Sequence, residues 1–184
     1  MARQPLYTVG FVCSGNTCRS PIAAAWVRHE LLTTGQEQHV KLWTAGLRVE
    51  SEDIGVKGAE SEALVAAAKM NLNPVVLRAL LRHRVDDLSR VSIKSDLLVW
   101  ITDPSKISQI DEEKQLTRAA EVKECAVRLN ATLLVVPEQD AAWQAKEDNA
   151  PLTEVSELYE AQAVSLRRWS WVVYRFLPGS ARGA

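Results

Sequence analysis

Residues 6–21, LYTVGFVCSGNTCRSP, determine how the chain begins to fold. Residues 6–12 form a nearly continuous apolar run rich in β-formers, which predicts a strand buried on both faces. Small polar residues follow. Ser20 and Pro21 are typical of the start of a helix, which is predicted over residues 22–32, and Gly35 is expected to end it. The chain therefore opens with a strand, a tight loop and a helix.

The same alternation continues along the rest of the chain. Apolar runs predict three more strands, and helical patterns alternate with them. The strands are expected at residues 40–44, 97–101 and 132–136, the helices at 59–70, 74–82, 103 to about 116, 122–129 and 154–177, and loops at 47–58 and 138–150. This order predicts an α/β fold, a three-layer sandwich around a central, mostly parallel four-stranded sheet with a phosphate-binding loop after the first strand. We expect one domain over residues 1–177 and a disordered tail at 178–184.

The composition excludes several classes of protein. Of the 184 residues, 47% are hydrophobic and 24% are charged, which excludes a disordered or fibrous chain. The 22 Lys and Arg nearly balance the 23 Asp and Glu, so no basic surface is expected for nucleic acid or an anionic membrane. Three cysteines are too few for a secreted disulfide scaffold. Since no apolar stretch matches a signal peptide or a membrane span, we expect a soluble, cytoplasmic protein.

The loop after the first strand has the residues of an anion site. In open α/β sheets, ligands bind beyond the carboxyl ends of the strands, and the start of a helix offers backbone N–H groups and a partial positive charge. Such a position favours the nucleophilic thiolate of Cys13, and the planar fork of Arg19 matches two phosphate oxygens. Together they predict cleavage of a phosphorylated side chain through a phosphocysteine intermediate.

The string VCSGNTCRSP at residues 12–21, placed between a strand and a helix, resembles the N-terminal signature of the low-molecular-weight protein tyrosine/arginine phosphatase family, C-x-G-N-x-C-R-S-P. Residues 44–47 (TAGL), 83–84 (HR) and 95–99 (SDLLV) resemble further segments of that family. The resemblance is strong over residues 6–30 and diffuse beyond about residue 102. It implies that Cys13 is the nucleophile, that Arg19 binds the phosphate, and that the substrate is a phosphorylated protein. The loop residues that would bind the substrate are Ser14, Gly15, Asn16, Thr17, Cys18 and Ser20.

The general acid that the family places in an Asp-Pro-aromatic motif has no direct counterpart. The corresponding spacing before Tyr159 falls on residues 150–152, APL, where Ala replaces the Asp and Leu152 replaces the aromatic residue. Asp148, two residues upstream, is the predicted acid, with Asp140 as the second candidate and the absence of a dedicated acid as a third reading. Asp103 with Pro104 mimics the motif but is expected to cap a helix.

Two loop residues leave alternatives open. Thr17 stands where the resembling tyrosine phosphatases carry a bulky aliphatic side chain and where the phosphoarginine branch carries Thr. Phosphoarginine is therefore slightly favoured over phosphotyrosine. Cys18 is either a redox partner that protects Cys13 or a residue that packs the loop.

Two other functions compete with a phosphatase. A pseudophosphatase would bind phosphorylated partners without turnover, and the altered motif at residues 150–152 is the basis for that reading. An arsenate reductase of the same fold needs two further relay cysteines, but residues 70–100 contain none and Cys125 is expected to pack. No metal and no cofactor are expected, because His29, His39 and His83 lack the paired spacing of ligands. The sequence carries no signal for an oligomeric state.

Overall fold

The computed structural model describes residues 6–104 and 112–177. Four strands alternate with six helices in the described parts of the chain. The strands are β1 (Tyr7–Cys13), β2 (Val40–Gly46), β3 (Leu97–Thr102) and β4 (Thr132–Pro137), and the helices are α1 (Arg19–Thr33), α2 (Ser61–Lys69), α3 (Pro74–Leu81), α4 (Glu112–Leu129), α5 (Ala141–Glu147) and α6 (Leu152–Arg175). Single turns of 3₁₀ helix cover Glu37–His39 and Leu88–Arg90.

The four strands form one sheet in the order β2-β1-β3-β4. All three pairings are parallel, which confirms the predicted α/β class. β1 is almost wholly buried because it has a strand on each side and helices above and below, whereas β4 lies at the edge and is partly exposed. The register sets Cys13, at the end of β1, opposite Gly46 at the end of β2.

The strands face two hydrophobic clusters because successive side chains point to opposite faces of the sheet. Val9 and Phe11 of β1 belong to the larger cluster, which also holds buried residues of α1, α2, α3 and α6. Val12 of β1 lies in the smaller cluster with Leu98 and Trp100 of β3 and with buried residues of α4. The predicted three-layer arrangement of helix, sheet and helix follows from these two clusters.

Two segments differ from the sequence-based expectation. Residues 138–150 were expected to be a loop, but they contain α5, whose sequence AAWQAKE consists largely of good helix formers. Its Ala142 is fully buried in the larger cluster. α4 is one helix over Glu112–Leu129, longer than the predicted helical stretch at 122–129. Residues 105–111 of the helix predicted from Asp103, and the predicted tail at 178–184, lie outside the described residues.

The length and polarity of the helices bear on membrane association. Across residues 6–104 and 112–177, none of them combines the length and the apolar content that crossing a bilayer requires.

Candidate active site

The loop after β1 lies at the carboxyl edge of the parallel sheet. Cys13 ends β1 and Arg19 begins α1, so the five residues between them make the whole connection. The chain proceeds from β1 to β2 on one side and returns to β3 on the other, so this edge is a point where the strand order reverses, the usual place for ligands in open α/β sheets. The Cys13 and Arg19 side chains are buried there, with 2% and 3% of their surface exposed.

The Cys13 thiol contacts the Ser20 hydroxyl. Cys13 Sγ lies 3.1 Å from Ser20 Oγ, and Ser20 Oγ donates to Asn16 Oδ1 at 2.8 Å. A hydroxyl has one proton to donate. When Cys13 is a thiol, its S–H can donate to Ser20; when it is a thiolate, Ser20 can turn its single proton toward the sulfur. The contact therefore allows the loop to hold either form of Cys13.

Asn16 occupies the strained position of the loop. Its φ is +55°, a left-handed conformation that Asn tolerates better than most residues, and its side chain is fully buried. His83 Nε2 lies 2.8 Å from the Asn16 carbonyl oxygen, and because a carbonyl only accepts, this nitrogen donates. Burial lowers the pKa of His83, as does Arg84, while the hydrogen bond to Asn16 acts in the opposite direction.

The carbonyl groups of the loop are bonded to the surrounding structure. Cys13 and Ser14 accept from the backbone N–H groups of Leu47 and Arg48 at 3.0 and 2.9 Å, and Thr17 accepts from that of Glu60 at 2.8 Å. Within the described part of the chain, the N–H groups of residues 14–18 have no acceptor. They are therefore available to a bound anion.

Gly46 allows β2 to approach the loop closely. A Cβ at this position would lie 2.8 Å from the Ser14 carbonyl oxygen and 2.5 Å from a methyl group of Val49. Both distances are shorter than real Cβ contacts, and the first atom is rigid backbone. Any side chain at residue 46 would consequently displace the loop.

Arg19 is paired with Asp140. Arg19 Nη2 lies 2.7 Å from Asp140 Oδ2. Burial lowers the pKa of Arg19, but the charge of Asp140 and the adjacent thiols outweigh it, so the net shift is upward. The backbone N–H of Asp140 donates to Asp103 Oδ2 at 2.9 Å, which ties the end of β4 to the end of β3. The structure thus brings a carboxylate to the Arg19 guanidinium.

Asp148, the acid expected from the sequence, lies elsewhere. It follows the last residue of α5, is exposed, and accepts hydrogen bonds from Gln144 at 3.1 and 3.2 Å. Asp140 precedes the first residue of the same helix, so the two residues lie eight positions apart, which corresponds to about 12 Å along the helix axis. The structure brings Asp140, and not Asp148, to Arg19.

Behind the loop, Cys18 is bonded to Gln162 of α6. Cys18 Sγ donates to Gln162 Oε1 at 2.9 Å. Burial, followed by the charge of Asp140, raises the pKa of Cys18 well above its usual range, so this thiol stays protonated. Tyr159, one turn earlier on α6, is buried with a hydroxyl that has no partner among the described residues, and burial raises its pKa.

Sequence reasoning assigned no role to Gln162, although a signal was present. It is a polar residue within the apolar stripe of α6, which also carries Tyr159 and Leu166.

The rim of the site carries opposite charges. Lys146 of α5 lies 3.1 Å from a carboxylate oxygen of Glu60 and 3.2 Å from one of Glu62, at the start of α2. The hydrogen bond from Glu60 N–H to Thr17 places this start of α2 beside the half-buried Thr17. The rim next to Thr17 therefore has two carboxylates and one ammonium group.

The other residues singled out from the sequence do not touch the loop. Leu152, where an aromatic residue was expected, is 82% exposed at the start of α6. Cys125 is buried in the smaller cluster on the opposite face of the sheet, where Arg128 Nη2 donates to its sulfur at 3.3 Å. Burial raises the pKa of Cys125. Among the residues that the structure describes, no three His, Cys, Asp or Glu side chains are grouped so as to hold a metal ion.

Comparison with known proteins agrees with this geometry. Residues 8–88 match the sequence profile of the low molecular weight phosphotyrosine protein phosphatase family, which confirms the resemblance inferred from the loop. A low molecular weight protein tyrosine phosphatase from T. tengcongensis is similar in structure, with a TM-score of 0.57 at 20% identity over 93% of this chain and 99% of that one. The tyrosine phosphatase AmsI of Erwinia amylovora has a TM-score of 0.56 at 18% identity, over 94% and 95% of the two chains.

An arsenate reductase in a phosphate-binding state is also similar, with a TM-score of 0.55 at 13% identity over 91% of this chain and 96% of that one. No curated protein sequence matches the chain. Identities this low establish the fold alone. The family match over residues 8–88 supports a cysteine-based phosphatase, and the structural similarities show the shared fold.

Proposed function

We propose that this chain, whose residues 8–88 match the low molecular weight phosphotyrosine protein phosphatase family, hydrolyses phosphorylated protein side chains through a phosphocysteine intermediate. One observation carries the proposal. The Cys13 sulfur, 3.1 Å from the Ser20 hydroxyl, lies at the start of α1 in a loop whose N–H groups lack acceptors in the described structure and whose last residue is the buried Arg19. A nucleophile next to an anion-binding loop is the arrangement that transfer of a phosphoryl group requires.

The chemistry proceeds in two steps. The loop N–H groups and Arg19 bind the phosphate oxygens, and the Cys13 thiolate attacks phosphorus as the bond to the leaving oxygen or nitrogen breaks. Asp140, in its protonated carboxylic acid form, donates its proton to that leaving atom and becomes the carboxylate. In the second step, a water molecule gives a proton to the Asp140 carboxylate and attacks phosphorus, which breaks the S–P bond and releases inorganic phosphate and the Cys13 thiolate.

Asp140 is a better candidate for the acid than Asp148. Its carboxylate is 2.7 Å from the guanidinium that binds the phosphate, so it lies next to the leaving atom when substrate is bound. Asp148 is exposed and bonded to Gln144 at the other end of α5. Because Asp140 supplies a carboxylate to the site, the altered motif at residues 150–152 no longer favours a binding protein without turnover.

Phosphoarginine is the favoured substrate over phosphotyrosine. Thr17 leaves more room at the mouth than a bulky aliphatic residue, and Glu60 and Glu62 place two carboxylates beside it. Even with Lys146 paired to them, these three side chains carry a net negative charge, which suits a guanidinium group better than a phenyl ring. Leu152 is exposed and provides no aromatic contact in place of the missing ring.

An arsenate reductase is not favoured by the position of Cys125. A relay of cysteines requires each thiol to reach the next, and Cys125 lies in the cluster on the opposite face of the sheet from Cys13. The three cysteines are free, which suits a reducing compartment such as the cytoplasm.

Turnover of p-nitrophenyl phosphate tests the proposed function. Wild-type protein should release p-nitrophenol, and Cys13→Ser should lose the activity completely because a serine hydroxyl is a far weaker nucleophile here. Cys125→Ser is the matched control and should retain wild-type turnover. A rapid acid quench followed by mass spectrometry should find phosphate on the peptide that contains Cys13. Turnover that survives in Cys13→Ser would contradict the proposal.

A further inference from the structure

Gln162 is a polar side chain in a place where α6 is otherwise apolar. It is 5% exposed, and it shares its face of the helix with buried residues at positions 155, 159, 163 and 166. An amide can be buried in such surroundings without a large penalty only when its oxygen and its nitrogen both find hydrogen-bond partners. The partners that Gln162 has therefore indicate why it can be accommodated there.

The Gln162 amide joins two separate parts of the active site. Its Oε1 accepts from the Cys18 thiol of the phosphate-binding loop at 2.9 Å. Its Nε2 donates to the Gln139 carbonyl oxygen at 2.8 Å and approaches Asp140 Oδ1 at 3.4 Å. One side chain of α6 thus contacts both the loop that would bind phosphate and the segment that would supply the acid.

The remaining contacts of Asp140 explain why this link matters. In the substrate-free structure, Asp140 is also held by the Arg19 ion pair and by the bond from its N–H to Asp103. Phosphate oxygens bind the same Arg19 guanidinium and therefore compete with Asp140 for it. Once substrate is bound, the hydrogen bonds to Asp103 and Gln162 still hold residues 139 and 140, the Asp140 segment, next to the loop.

We propose that Gln162 is a positioning residue that keeps Asp140 aligned with the leaving atom after the substrate phosphate has taken over Arg19. This inference rests on the proposed function, and on Asp140 as its acid. It predicts that loss of the Gln162 amide impairs protonation of the leaving group while the nucleophile and the phosphate-binding loop remain intact.

The dependence of the rate on the leaving group tests this role. Phenolate leaves poorly and needs a proton, whereas p-nitrophenolate leaves well without much help. In Gln162→Met, kcat/KM for phenyl phosphate should fall about tenfold, a part of the about 10²–10⁴-fold that a general acid supplies. The value for p-nitrophenyl phosphate should fall about twofold or less. The measurement is the value for p-nitrophenyl phosphate divided by the value for phenyl phosphate. This ratio should rise at least about fivefold in Gln162→Met, whereas a merely looser fold would lower both values alike and leave the ratio unchanged.

Ser170→Ala is the matched control for packing of α6. Ser170 is a buried polar residue of the same helix, and its hydroxyl donates to the Ala23 carbonyl oxygen at 3.0 Å, away from the Asp140 segment. Ser170→Ala should leave the ratio at the wild-type value. If it raises the ratio as much as Gln162→Met, the effect belongs to docking of α6 and the positioning role is overturned.

A double-mutant cycle connects Gln162 to Asp140. Asp140→Asn should itself raise the ratio, and adding Gln162→Met to it should change kcat/KM for phenyl phosphate by less than about twofold, because both act on one proton transfer. If Asp140→Asn raises the ratio and Gln162→Met does not, the positioning role fails while the acid assignment stands. If Asp140→Asn leaves the ratio unchanged, both the assignment of Asp140 as the acid and the positioning role of Gln162 fail. If Cys13→Ser still turns over p-nitrophenyl phosphate, the proposed function itself is refuted.

Discussion

The two halves of the active site are held in different ways. The loop over residues 13–20, which we propose binds phosphate, is fixed by hydrogen bonds among its own Ser20 and Asn16 side chains and by backbone hydrogen bonds from other parts of the chain to its carbonyl groups. The Asp140 segment has no such motif of its own. It is held by Arg19, Asp103 and Gln162, which come from three other elements. Cys13 is therefore held partly by side chains of its own loop, whereas Asp140 is held by residues from other parts of the chain.

Among the variants that compare the two halves of the site, Asp140→Asn should have the largest effect on kcat/KM. Removal of the carboxyl proton should lower kcat/KM for phenyl phosphate by about 10²-fold or more, the usual range for a general acid. Asp148→Asn is the control and should stay within about twofold of wild type, since Asp148 is exposed and bonded to Gln144. If Asp148→Asn shows the loss instead, α5 must rearrange when substrate binds and the acid assignment changes.

Asn16→Ala disturbs the other half through its backbone. An alanine in a left-handed conformation costs about 1–2 kcal/mol, so the melting temperature should fall by several degrees. Loss of the Asn16 contact to Ser20 should also lower kcat about tenfold for both phenyl and p-nitrophenyl phosphate.

Asn71→Ala is matched to this variant. Asn71 has a φ of +60° but is exposed and outside the loop, so it should lower the melting temperature without lowering kcat. Equal losses of kcat in the two variants would show that the added backbone strain alone, rather than loss of the contact to Ser20, accounts for the effect.

Thr17→Ile should have the smallest effect and alters only the mouth of the site. A larger aliphatic side chain beside Glu60 should shift the ratio of kcat/KM for phosphoarginine and phosphotyrosine peptides toward phosphotyrosine by about 3–10-fold. This is less than the about 10–200-fold that one methylene contributes in a closed hydrophobic pocket, because Thr17 is only half-buried. Turnover of p-nitrophenyl phosphate by Thr17→Ile should equal that of the wild type, which would show that the loop is intact. A preference for phosphotyrosine in the wild-type protein would reverse the substrate assignment.

The difference between the two halves also explains what the sequence could reveal. The parallel sheet and the helix that begins at Pro74 follow from patterns within short stretches, and the structure confirms them. The helix α5 could not be predicted in this way, because acidic and polar residues flank AAWQAKE and the whole stretch is typical of a loop. Only the structure shows that Ala142 packs in the core. Without α5, the spacing before Tyr159 fell on residues 150–152, so the nearer Asp148 was predicted as the acid ahead of Asp140. The position of Asp140 depends on contacts to residues 22, 37 and 121 positions away, which no local pattern records.

The order of strands in the sheet gives the two halves unequal resistance to local opening. Cys13 ends β1, which has hydrogen-bonded neighbours on both sides, whereas the Asp140 segment follows β4, which has one neighbour and an exposed edge. Hydrogen exchange in native proteins is slowest in central strands and faster at edges. Amides of β4 should therefore exchange before those of β1. A brief opening of this edge would separate Asp140 from Arg19 and leave the Cys13 loop folded. During thermal inactivation, the Cys13 loop should therefore be the part of the site that unfolds last.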